Sequence, residues 1–115
     1  MKIYINNGCD KLKSCLLCYP ANYRITNKSN KHYNKVDYTL ALNQYNKYIN
    51  YLIENNVKPI FIDINKSSKQ VYIKDVAFVI ETVLFISKMS LKERKVEIEP
   101  IKKLALEEKL DYYIM

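Results

Sequence analysis

The sequence predicts an α/β fold in which helices cross between short strands, and three observations carry that expectation. Two apolar runs, Cys15 to Tyr19 and Pro59 to Ile64, are short and nearly continuous, and the second has the character of a strand buried on both faces. Between them Ala41, Tyr45, Tyr48 and Leu52 recur at spacings of four, three and four, which lays one apolar stripe along a helix. Downstream, Val71 to Ser87 is rich in β-branched and aromatic residues, broken at Glu81 and Thr82, so two strands meeting at a tight turn are expected.

With 115 residues, 49% of them hydrophobic, the chain fits one domain spanning 1–115, since domains average roughly 150 residues. No apolar run approaches the roughly 20 residues of a membrane helix, and the first residues lack the apolar centre of a signal peptide. A soluble protein in the cytoplasm, without a membrane partner, is the expectation.

The formal charge of +7 raises nucleic-acid binding, because basic side chains neutralise phosphates and release counterions. Almost all of that charge is lysine, however, and Arg24 and Arg94 are the only arginines. Groove and phosphate readers lean on the bidentate arginine fork, which lysine lacks. The composition therefore reads against a nucleic-acid partner.

Taken in order, the first strand holds Cys15 and Cys18, whose spacing formally matches redox and zinc motifs. On a strand, residues three apart point to opposite faces, so these two thiols reach neither one metal nor each other. A zinc site would need Cys9 and His32 from two loops as well. The three cysteines read as buried small hydrophobes in a reduced compartment, with no metal and no cofactor expected. Ala21 to Lys35 is polar, lacks hydrophobic period and reads as a surface loop containing a solvated His32.

Asp37 can cap the helix that carries the stripe, which runs to about Asn55, and Asn55 or Asn56 can take the left-handed turn that follows. Strand, helix, strand in this order implies a right-handed crossover and a parallel pair. In the first strand of the hairpin, Asp75 follows Lys74 inside an apolar run. An acid there must face solvent, pair with a base or line a site, because burying a bare carboxylate costs too much. Ser90 and Glu93 form the two ends of a capping box, which would start a second helix with Arg94 in its first turn. Arg94 and Asp75 can then sit near one end of the same sheet.

Pro100 falls beyond that first turn and removes a backbone donor, so either a kink or a short turn followed by a new helix from Pro100 is expected. Ile98, Ile101, Leu104 and Ala105 would face the sheet. Leu110 to Met115 reads as a last strand, with an edge that calls for cover.

The run Tyr72 to Val79, the strand to Ser87 and then Glu93-Arg94-Lys95 resemble the substrate-binding segment of dimethylarginine dimethylaminohydrolases, of the guanidine-modifying superfamily called penteins. The resemblance extends through Asn7 to Ser14, Cys15 to Pro20, Val36-Asp37 and Asn55 to Asp63, and matches only the beginning of that family's longer chains. It implies a partial pentein-like α/β-propeller of about one and a half strand-helix-strand modules. It also implies that Ala21 to Lys35 stands where the family has a lid, that Asp75 bonds a substrate guanidinium and that Arg94 binds its carboxylate. The alternative role for that pair is an ion pair joining a strand end to a helix start. Lys69 and Lys74 stand where the family has acids, and two ammonium groups oppose a bound cation. The family's catalytic His and Cys fall outside this chain, so no catalytic residue is assigned to Cys9, Cys15 or Cys18. The expectation is an amidine hydrolase's N-terminal, arginine-binding portion, inactive alone, or a noncatalytic relative. Either a complementary chain or self-association as a homo-oligomer would cover its open edges.

Overall fold

A computed structural model describes residues 1–7 and 9–115, leaving Gly8 of the quoted motif outside the description. The elements are β1 (Ser14–Leu17), α1 (Tyr38–Glu54), β2 (Lys58–Phe61), β3 (Ala77–Ile80), β4 (Val83–Ile86), α2 (Ile98–Glu107) and β5 (Asp111–Ile114). Short 3-10 segments, Ile73–Asp75 and Lys92–Glu97, precede β3 and α2. The expected α/β order is present.

β1 and β2 pair in parallel across α1, from Ser14 opposite Lys58 to Leu17 opposite Phe61. β4 and β5 pair in parallel across α2, from Val83 opposite Asp111 to Ile86 opposite Ile114. The same strand-helix-strand unit thus occurs twice. Only the second carries an additional antiparallel strand, β3, which meets β4 at a two-residue turn with Ile80 opposite Val83. Glu81 takes a left-handed φ of 51° there, and it exchanges both backbone bonds with Ile5 at 2.9 and 2.7 Å.

One core joins the two units. Cys18 and Ile62 come from the first, and Ile73, Val76, Leu84, Ile86, Ile101 and Ala105 from the second. Alternation explains which residues of β4 contribute: Leu84 and Ile86 point inward under α2, and Val83 and Phe85 point away. Ile101 and Ala105, four apart, place one face of α2 on that sheet, with Ile98 and Leu104 half-buried beside them.

Several expectations need correction. The hairpin's first strand begins at Ala77, not Val71, because Asp75 N–H bonds Tyr72 O at 3.1 Å and Val76 N–H bonds Ile73 O at 2.8 Å, closing a turn. Asp75 therefore ends a 3-10 segment instead of interrupting a strand. Ser90 and Glu93 make no capping box: Leu91 stands at the N-cap without a side-chain bond, and Glu93 approaches Lys69 instead. α2 starts at Ile98, so Pro100 lies in its first turn, where a backbone N–H has no intrahelical partner to lose.

On α1, Asp37 accepts the Leu40 N–H at 3.0 Å as the expected cap, and Asn56 takes the left-handed turn with φ 61°. The inward stripe runs Ala41, Tyr45, Ile49 and Leu52; Ile49 is buried where Tyr48 was expected, and Tyr48 is exposed. β2 ends at Phe61 and is not buried on both faces, since Phe61 is exposed and stacks on Tyr19 with ring centroids 5.1 Å apart. A two-stranded sheet with one helix has only one covered face. Among the described residues, no helix is long and apolar enough to cross a membrane.

Candidate ligand-binding site around Asp75 and Arg94

Three segments converge on the guanidinium of Arg94, which is almost fully buried. The 3-10 segment Lys92–Glu97 brings Glu97 beneath it, three residues on, and Arg94 donates from Nε to Glu97 Oε2 at 2.8 Å and from Nη2 to Oε1 at 3.0 Å. The segment Ile73–Asp75 supplies the Asp75 carboxylate, which accepts from Nη1 at 3.0 Å, and the Tyr72 carbonyl, which accepts from Nη2 at 3.3 Å. The preceding loop contributes Lys69 O, 3.5 Å from Nη2. Sequence reasoning placed Asp75 and Arg94 near each other, and they are in contact.

The loop is itself fixed. Ser67 donates its hydroxyl to Glu97 Oε2 at 2.7 Å, Asn65 donates its side-chain amide to Val96 O at 2.8 Å, and Gln70 bonds Asp63 O and the Asn65 N–H at 2.6 and 2.8 Å. Glu97 has no exposed surface at all. A carboxylate so buried persists charged only with a full set of donors, and Arg94 and Ser67 provide three hydrogen bonds. These bonds, Glu97's first and Asp75's after it, hold the Arg94 guanidinium above its ordinary pKa despite burial. Glu97 and Ser67 escaped the sequence reading. The available signal was the spacing of Arg94 and Glu97, which places them on one side of a helical turn.

Asp75 differs from Glu97 in its surroundings. Its side chain is 44% exposed, and its Oδ1 has no hydrogen-bond partner among the described residues. Beside it Tyr72 is exposed, and Tyr23 of the polar loop meets Tyr72 edge-on, with ring centroids 6.0 Å apart and hydroxyl oxygens 3.3 Å apart. Of the two lysines expected to oppose a cation, Lys69 lies 3.6 Å from Glu93 Oε1, which offsets its charge. Lys74 is exposed.

The thiols stand apart from this arrangement. Cys18 is completely buried and donates to Tyr19 O, and burial with the nearby negative charge of Glu97 pushes its thiol up to about 11. Cys15 is half-buried, and burial raises its thiol too, opposed by a hydrogen bond with Tyr48. Cys9 is exposed, contrary to the expectation that all three are buried. It lies in the turn after Asn7, whose side-chain oxygen accepts its N–H at 2.8 Å. His32 is exposed in the loop. Among the described residues no group of three His, Cys, Asp or Glu side chains is disposed to hold a metal. An open groove of about 610 Å³ runs between Asp63, Asn65, Val96, Pro100 and Lys103 and does not include Asp75 or Arg94.

No protein-family model matches the chain, and no curated protein does. Solved structures do. Unliganded AgrE superposes with a TM-score of 0.78 at 19% identity over 89% of this chain and 16% of AgrE. The N-terminal domain of ArgZ, an arginine dihydrolase from the ornithine-ammonia cycle in cyanobacteria, gives 0.73 at 20% identity over 89% of this chain and 39% of that domain. DDAH from Pseudomonas aeruginosa, complexed with citrulline, gives 0.72 at 19% identity over 90% of this chain and 42% of DDAH. The chain thus spans less than half the length of each. The fold is the one the resemblance implied, a part of the DDAH-like pentein fold.

Proposed function

We propose that this chain is the ligand-binding portion of an amidine-hydrolase fold, taking an arginine-like small molecule by its cationic head at Asp75 with Arg94, and that by itself it performs no hydrolysis. The observation that carries this reading is the half-exposed Asp75 carboxylate, anchored on one oxygen by a buried arginine and open on the other. A carboxylate so oriented suits a charge-assisted bond to a guanidinium. Support comes from the shared fold, since AgrE has been seen with L-arginine and DDAH with citrulline. Lack of turnover is what the resemblance implies, since the family's catalytic His and Cys match no residue here, and Cys18, enclosed in the core, is closed to a substrate.

Calorimetric titration with arginine and methylated arginines tests the reading. Binding should be weak in the native chain, be lost in Asp75→Asn and strengthen in Lys74→Glu, which adds an acid beside the cation. No citrulline should form. Absence of heat from every variant would defeat the binding proposal, and turnover abolished by Cys18→Ser would defeat the assignment of the thiols.

A second reading, a noncatalytic subunit that associates through its sheets, is favoured by one feature. The face of β3, β4 and β5 away from α2 carries Phe78 stacked on Phe85 at 5.4 Å, Tyr113 at 6.1 Å from Phe85, and exposed Ile80. Edge strand β5 lies beside them. Either a second copy or a complementary chain would cover this surface. A dimer or larger assembly by light scattering, reduced to a monomer by Phe78→Lys, supports association between copies; a monomer whose Asp111 to Ile114 amides are fully protected from exchange argues against this reading.

A further inference from the structure

We propose that Arg94 is a positioning residue whose fork is filled from within by Glu97, so that the site it supports selects a guanidinium or amidinium head without reading a ligand carboxylate. The ligand in this inference rests on the reading above; the role of Glu97 rests on the packing alone.

A guanidinium has five N–H donors. In Arg94 the Nε donor and one Nη2 donor form the fork that a carboxylate fills bidentately, and Glu97 fills it at 2.8 and 3.0 Å. The second Nη2 donor faces the carbonyls of Tyr72 and Lys69, and one Nη1 donor holds Asp75. A single donor on Nη1 remains, on a side chain almost closed to solvent. For a ligand carboxylate to gain the fork, it would have to displace Glu97. That would strand a fully buried carboxylate with only the Ser67 hydroxyl, a cost that one replacement ion pair at the same fork does not offset.

What the network delivers to solvent is Asp75. Arg94 fixes one oxygen of that carboxylate, and Ser67 and Glu97 fix Arg94, so a chain of charge-assisted bonds running from the core sets where the outward oxygen points. Tyr72, whose backbone carbonyl joins the same network, is exposed and meets Tyr23 edge-on. Neither group rewards a carboxylate. The ligand class is therefore a guanidine or amidine defined by its head.

The two arginines make the test direct. Two Nε–Hε signals are expected in the nitrogen-15 spectrum of the whole chain, and Arg24→Lys assigns them. Arg94 Hε, bonded to a buried carboxylate, should exchange at least about tenfold more slowly than Arg24 Hε, should lose that protection in Glu97→Gln, and should keep it when arginine is added. Equal exchange of the two, or an Arg94 Hε that loses its protection with added arginine, overturns the proposal. In the second arm, arginine, arginine amide and n-butylguanidine are titrated in turn. Affinities within about fivefold of one another agree with it, and a larger preference for arginine overturns it. If none of the three binds, the ligand-binding reading fails, whereas a slowly exchanging, Glu97-dependent Arg94 Hε still upholds the internal fork and an unprotected one rejects it.

Discussion

Arg94 and Glu97 meet fork to fork three residues apart, at 2.8 and 3.0 Å, with Glu97 wholly removed from solvent and Arg94 nearly so. Their pairing joins the 3-10 segment before α2 to the loop that holds Ser67 and, through Asp75, to the entry of β3. A local contact in sequence thus ties the segment before α2 to the upstream stretch that runs from Ser67 to Asp75.

Removing one partner of this pair leaves the other charge buried and unpaired. Glu97→Ala should lower stability by about 3–5 kcal/mol, measured by urea unfolding. Asp63 and Lys103 also form a close ion pair, but both are exposed, so Asp63→Ala should have an effect too small to resolve in the same assay. Comparable losses in the two variants would refute this division.

Ser67→Ala tests the loop's anchor. Its hydroxyl donates to the Glu97 carboxylate at 2.7 Å in a buried setting, and a hydrogen bond to a charged group contributes about 1.5–3 kcal/mol. The same unfolding measurement should show a loss in that range, together with faster exchange of the Lys69 to Asp75 amides.

Helix α1 offers a contrast between neighbours. Ile49→Ala empties a buried position and should cost about 2–4 kcal/mol, whereas Tyr48→Ala, at an exposed one, should cost less than about 1 kcal/mol. The reverse order would restore Tyr48 to the inward stripe.

The thiols should separate in a labelling experiment at neutral pH. Cys9, exposed, should react with a disulfide reagent in the folded chain, and Cys18 only after denaturant is added. Stability should also fall in alkali. Burial lifts Cys18 to about 11, above its value in the unfolded chain, so between about pH 9 and 11 the unfolded state loses a proton that the folded state keeps. The stabilisation is therefore complete below that window and lost as pH rises through it. Tyr45, raised to about 12 mainly by burial, continues the decline. Urea midpoints that stay flat from pH 8 to 11 would contradict both.

The sequence alone determined the order of elements, because each signal was local: the stripe on α1, the Asp37 cap, the two-residue break at Glu81 and Thr82, and the β-branched runs on either side. It also brought Asp75 and Arg94 to one place, although the strand and the capping box it reasoned from are replaced by two 3-10 segments. Tertiary contact decided the rest. Tyr48 and Ile49 satisfy nearly the same helical period, and only the position of β2 selects between them. Val71 to Val76 has a strand's composition, yet its backbone turns because the Tyr72 carbonyl and Asp75 carboxylate find a guanidinium instead of a neighbouring strand. Glu97, one acid among twelve, becomes the buried counter-charge because the fold closes Ser67 and Arg94 over it; burial and partnership are properties of the assembled packing, and no stretch of sequence carries them by itself.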